Sequence, residues 1–130
     1  MTSSEHNLVE LSGVRIARGG RTILRDVSLQ VPRGSITAVL GPSGSGKSTL
    51  LAALTGELQP VEGHVRLFGR DVPRDASALL EMRRSVGVLL QGNGLLTDLT
   101  VAENVGLPLR THTRLPPPVL RRLVELKLHA

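Results

Sequence analysis

The chain of 130 residues contains no cysteine, no tryptophan, no tyrosine and a single phenylalanine, Phe68. Without thiols there is no disulfide framework, no thiolate zinc site and no cysteine nucleophile, and a reducing, cytosolic setting is expected. With one aromatic ring, the core must be filled by Leu, Val, Ile and Ala. Apolar runs such as Ala38 to Leu40 and Val88 to Leu90 fall far short of the roughly 20 residues that a membrane-spanning helix needs. Met1 to Asn7 are polar and hold no apolar h-region, so no signal peptide is expected there.

What is present suffices for one core: 40% of residues are hydrophobic and 21% charged, which excludes disorder and low-complexity repeats. Sixteen basic against 11 acidic residues give a net charge of +5. The excess gathers at one end, where Arg110, Arg114, Arg121, Arg122 and Lys127 face the single acid Glu125. Single-strand nucleic-acid binders join such a basic track to aromatic stacking platforms, and only Phe68 could serve, so nucleic acid is not the expected partner. Only Lys47 and Lys127 are lysines, and much of the arginine reads as compositional bias.

Along the chain, Leu8 to Arg18 alternates loosely and Gly19-Gly20 turns it into a hairpin, with Val27, Leu29 and Val31 alternating on the return. Ile36, Ala38, Val39 and Leu40 make a nearly continuous apolar run over Ser35 to Leu40, the pattern of a strand buried on both faces of a parallel sheet. Lys47 to Leu58 has leucines at helical spacing and stops near Gly56 and Pro60. Gly63 to Phe68 alternates again, Ala76 to Arg84 is helical, and Val86 to Leu90 forms a second apolar run expected to be a buried strand ending at Gln91. Thr100 and Glu103 have capping-box spacing, which predicts a short helix from Val101 to about Leu107. Pro116-Pro117-Pro118 predicts an extended connector, followed by a helix over Val119 to Leu128.

Gly41-Pro42-Ser43-Gly44-Ser45-Gly46-Lys47-Ser48 fits G-x-x-x-x-G-K-[ST], the phosphate-binding P-loop, and stands between a predicted strand and a predicted helix. Glycines there let successive backbone N–H groups turn toward an anion, and the following helix adds its positive end. Lys47 is expected to reach the β and γ phosphates of a nucleotide, and the Ser48 hydroxyl to hold Mg²⁺, a hard cation that prefers oxygen.

With this loop in place the chain resembles the nucleotide-binding subunit of ABC transporters. The resemblance runs through Leu24 to Leu29, Gly34, Gly41 to Leu51, Pro60-Val61-Glu62-Gly63 and Phe68-Gly69, in the family's order. It implies an α/β P-loop ATPase fold with an N-terminal antiparallel β subdomain, parallel core strands and the start of a helical subdomain. It also implies ATP and Mg²⁺ as cofactors, held by Gly41, Pro42, Ser43, Gly44, Ser45, Gly46, Lys47, Ser48 and Thr49. Gln91 looks like the Q-loop glutamine, which touches Mg²⁺ and the attacking water. Many relatives stack adenine on an aromatic residue before the first hairpin turn; Arg18 holds that place here and is the expected adenine contact by guanidinium stacking.

The stretch from Gln91 to Val101, with Asn104-Val105, Pro108-Leu109-Arg110 and His112 to Pro116, is similar to the Mla-type phospholipid transporter ATPases and their relatives serving MCE-domain lipid systems. That resemblance implies ATP hydrolysis coupled to lipid transport, on the cytoplasmic side of the bacterial inner membrane. The implied partners are an integral-membrane permease, a second ATPase subunit and an MCE-domain lipid-binding protein. Leu95, Leu96 and Leu99 would then offer a surface to the permease's coupling helix, or else pack in the core.

The family's later motifs do not occur: no apolar run ends in Asp-Glu, Leu11-Ser12-Gly13 is not the signature sequence, and His6, His64, His112 and His129 match no switch histidine. The expected division is a polar N-terminus over residues 1–7 and a partial ATP-binding domain over 8–130, with 92–130 opening the helical subdomain. Such a portion is expected to hydrolyse little ATP alone; the rival readings are a P-loop ATPase acting on nucleic acid and a non-functional fragment.

Overall fold

A computed structural model describes residues 6–92 and 94–130. They divide between Gly87 and Val88 into two compact units.

The first unit is built on a four-stranded antiparallel sheet in the order β2-β1-β3-β4. Strands β1 (Asn7–Arg18) and β2 (Arg21–Pro32) form the hairpin expected at Gly19-Gly20, and β3 (Glu62–Leu67) and β4 (Arg70–Asp71) form a second one. Phe68 and Gly69, at φ 54° and 76°, make the two-residue turn between β3 and β4, the geometry whose twist matches that of the strands.

The loose alternation of β1 has a physical cause. Between Ser12 and Arg15, β1 advances three residues while β3, from His64 to Glu62, advances two. The extra residue is a bulge, and it shifts the pleat, so that Leu11, Val14 and Ile16 all point inward and are 2, 0 and 0% exposed. Gly63 makes the bulge possible: a Cβ there would stand 2.4 Å from the carbonyl oxygens of Ser12 and Gly13.

Helix α1 (Lys47–Leu54) lays Leu50 and Ala53 on this sheet, closing a core of Leu11, Val14, Ile16, Leu50, Ala53 and Val65. It is shorter than the periodicity over Lys47 to Leu58 predicts, because Thr55 and Gly56, with Gly56 at φ 76°, turn the chain out of the helix. Helix α2 (Ala76–Arg83) starts at Asp75, whose carboxylate accepts the Ala78 N–H at 2.9 Å. At its other end the Arg83 Nε donates to the Thr55 carbonyl at 2.9 Å, satisfying the C-terminus of α1 with a cation, as the helix dipole favours.

The second unit pairs α3 (Val101–His112) with α4 (Pro117–Leu128). Gly106 is buried against Val124 and Leu120, the Val124 Cγ2 lying 3.2 Å from where a Cβ would stand.

Several expectations are corrected. Ser35 to Leu40 and Val86 to Leu90 are not strands: neither run is paired into the sheet, and Ile36, Leu40 and Leu89 are 101, 90 and 88% exposed. Apolarity alone does not make a strand, which needs a neighbouring backbone to satisfy its N–H and C=O groups. No parallel pair is present among the described residues. Helix α3 continues past Leu107, through Pro108, to His112. Proline there removes one N–H from the ladder, and packing on α4 carries the helix across it. Pro117 and Pro118 belong to α4 instead of a connector, at first-turn positions whose N–H groups have no intrahelical partner to lose; only Pro116 is extended, at ψ 147°.

Candidate functional site

The loop Gly41 to Ser48 leads into α1, and Gly46 sits at the junction with φ 101°. No side chain caps the helix, and no acidic residue stands in its first turn. The first N–H groups of a helix have no intrahelical acceptor, and here no carboxylate or hydroxyl among the described residues caps them, so the positive end of α1 is open to an external anion. Close packing keeps Gly46 where it is: a Cβ would come within 2.6 Å of the Leu24 Cδ2 of β2. The hairpin strand thus braces the loop from one side, while Leu50, buried in the core, anchors the helix behind it.

The Lys47 Nζ donates to the Gly41 and Pro42 carbonyls, the latter at 3.0 Å, and so ties the end of the loop to its beginning. Within the loop the Ser45 N–H donates to the Pro42 carbonyl at 3.2 Å. Ser43, Gly44, Ser45 and Ser48 are exposed, and Thr49 is half-buried. The donor set, backbone N–H groups with one ammonium and hydroxyls, fits a polyphosphate, and the exposed Ser48 hydroxyl is a suitable oxygen ligand for Mg²⁺. Among the described residues no group of three or more His, Asp or Glu gathers elsewhere as a metal site.

The structure therefore brings Gly41 to Thr49 together as one element. Arg18 stands in the same unit, exposed at the last position of β1 and paired in register with Arg21. Gln91 belongs to the second unit, exposed in the turn before Gly92. Leu95 and Leu96 are 61 and 53% exposed and pack in neither unit's core among the described residues. With Leu99, Val101 and Val105 they line an apolar groove of about 410 Å³ beside the start of α3.

One participant is given no role by the motifs. The side chain of Asn104 holds the loop that forms this groove: its Oδ1 accepts the Leu96 N–H at 2.9 Å, and its Nδ2 reaches the carbonyls of Leu96, Leu99 and Thr100 at 3.0, 3.2 and 3.0 Å. In the sequence it stands in the Asn104-Val105 pair of the family resemblance, four residues after the Thr100 cap. No helix among the described residues is long and apolar enough to cross a membrane.

Comparison with known proteins agrees with this architecture. The family model described as ABC transporter matches residues 24–128. The intermembrane phospholipid transport system ATP-binding protein MlaF of Escherichia coli strain K12 is 44% identical over 131 aligned positions, covering 100% of this chain and 49% of that protein. The chain thus spans about half the length of the curated relatives it matches. CbiO1 of Clostridium perfringens, part of the transporter complex CbiONQ, superposes with a TM-score of 0.86 at 25% identity, covering 96% of this chain and 50% of that one. The ATP-binding cassette MJ0796, in a dimeric post-hydrolysis state with ADP and phosphate, superposes with a TM-score of 0.77 at 31% identity, covering 89% and 53%. With the P-loop in its structural place and the family model matching most of the sequence, the chain belongs to the ABC transporter ATP-binding family as an N-terminal portion of its ATPase domain.

Proposed function

We propose that this chain is the nucleotide-binding front part of an ABC transporter ATPase that couples ATP binding and hydrolysis to phospholipid or lipid transport across the bacterial envelope. One observation carries the proposal: an uncapped, acid-free helix N-terminus behind a P-loop, in a chain 44% identical to MlaF along its whole length. The backbone N–H groups of Gly44 to Ser48 bind the phosphates, and Lys47 exchanges its loop carbonyls for phosphate oxygens. Ser48 would hold Mg²⁺, whose charge would offset that developing on the transferred phosphoryl group, and Gln91 is the Q-loop glutamine in this reading. Arg18 lies against the adenine.

In this function the subunit pairs with a second copy and sits on the cytoplasmic face of the inner membrane. Leu95, Leu96 and Leu99 receive a helix of the membrane permease, and an MCE-domain protein delivers or accepts the lipid. Residues 92–130 open the helical subdomain. Equilibrium titration of the full-length subunit with ATP and Mg²⁺, and lipid transfer between vesicles by the subunit assembled with its permease, test the proposal. Binding that is lost in K47A, together with ATP-dependent lipid transfer, is expected; ATP binding unaffected by K47A overturns the site, and transfer that is indifferent to ATP overturns the coupling.

A further inference from the structure

We infer that Asn104 is the positioning residue of the permease-docking groove: it clamps the loop Leu96 to Thr100 onto the first turn of α3 and so presents Leu95 and Leu96 ready formed. The inference rests on the docking role proposed for that groove, and the chemistry of the clamp is specific to asparagine.

Oδ1 takes the N–H of Leu96 and Nδ2 gives to the carbonyl of the same residue, so the side-chain amide pairs with both backbone groups of one residue, as a neighbouring strand would. An amide nitrogen has two hydrogens. Three carbonyls, those of Leu96, Leu99 and Thr100, lie within 3.2 Å of it, so two hydrogens serve three acceptors and draw both ends of the loop to one point. Among the described residues the loop itself adds one backbone turn bond, from the Leu99 N–H to the Leu96 carbonyl at 3.3 Å.

The helix below is secured independently. Thr100 and Glu103 form a complete capping box, with the Glu103 N–H donating to the Thr100 Oγ1 at 3.1 Å and the Thr100 N–H to the Glu103 Oε2 at 3.2 Å. Helix start and loop position are thus held by separate side chains, which allows them to be uncoupled. Leucines more than half exposed on a loop held, among the described residues, by one backbone turn bond besides this clamp would sample many arrangements without it, and affinity falls in proportion to the fraction that is competent to bind. The clamp raises that fraction before the partner arrives.

The test uses the full-length subunit and its detergent-solubilised permease, reading permease affinity and the hydrogen exchange of the Leu96 amide. N104A should speed exchange at Leu96 and weaken the permease complex by about tenfold, as expected if only a tenth of the loops remain competent. N104D, equal in size, should do the same, since a carboxylate keeps the acceptor for Leu96 but faces three carbonyls with no hydrogen to give. T100A, which removes the cap and leaves the clamp, should loosen α3 with a much smaller effect on affinity.

Unchanged Leu96 exchange in both Asn104 variants, or equal losses of affinity in T100A and N104A, overturns the inference. L96D separates it from the reading beneath it. If L96D weakens the permease complex and the Asn104 variants do not, the clamp alone is wrong; if L96D leaves the complex intact, the docking role of the groove falls with it.

Discussion

The ammonium of Lys47 lies 3.0 Å from the carbonyl oxygen of Pro42, five residues earlier, so the lysine that opens α1 also closes the loop before it. The contact is a charge-assisted hydrogen bond, the kind that contributes about 1.5–3 kcal/mol. Replacing Lys47 by alanine should loosen the loop and remove the cation meant for phosphate. ATP affinity in calorimetric titration is expected to fall by at least about tenfold, and K47R should not restore it, because a planar fork cannot take the place of a compact ammonium.

Gly63 gives a sharper structural expectation. Its φ is 82°, and a Cβ would meet two backbone oxygens that cannot swing aside as a side chain can. G63A should cost about 2–3 kcal/mol or more, through strain together with loss of the β1–β3 bulge pairing. Urea denaturation should show a lowered midpoint, and a midpoint within error of the parent would contradict the bulge geometry.

Two isoleucines on different segments should respond very differently in the 130-residue chain. Ile16 is 0% exposed in the core, and I16A is expected to cost about 2–5 kcal/mol. Ile36 is 101% exposed, and I36A should change stability by no more than about 0.5 kcal/mol. The run around Ile36 is a liability of another kind, since an exposed apolar stretch with free backbone groups invites intermolecular pairing. I36K should therefore raise the concentration at which the chain stays monomeric in light scattering.

Thr100 caps α3 with both hydrogen bonds of the box in place. T100A should destabilise the second unit by about 1 kcal/mol, seen as faster amide exchange in the first turn of α3. Exchange no faster than in the parent chain would show that the box contributes nothing there.

The parts of this molecule that were legible in the sequence are those whose physics is local. The P-loop, the Gly19-Gly20 hairpin, the Thr100 cap and the start of α1 each depend on backbone freedom or a hydrogen bond within a few residues, and spacing alone reveals them. The same holds for the family, because its motifs are short and stand in order. Three features lay beyond such reasoning. The shift in the pleat of β1 combines Gly13, at φ 53°, with the room left by Gly63, 50 positions away in the chain, since a bulge needs a partner backbone close enough to accept it. The passage of α3 across Pro108 is decided by α4, where Val124 and Leu120 close over Gly106. Above all, the runs Ser35 to Leu40 and Val86 to Leu90 carry the composition of buried strands and, with Val86 alone half-buried, stand exposed in the structure. Composition sets what a segment would gain from burial; whether it is buried is decided by the neighbouring backbone that tertiary structure does or does not bring alongside.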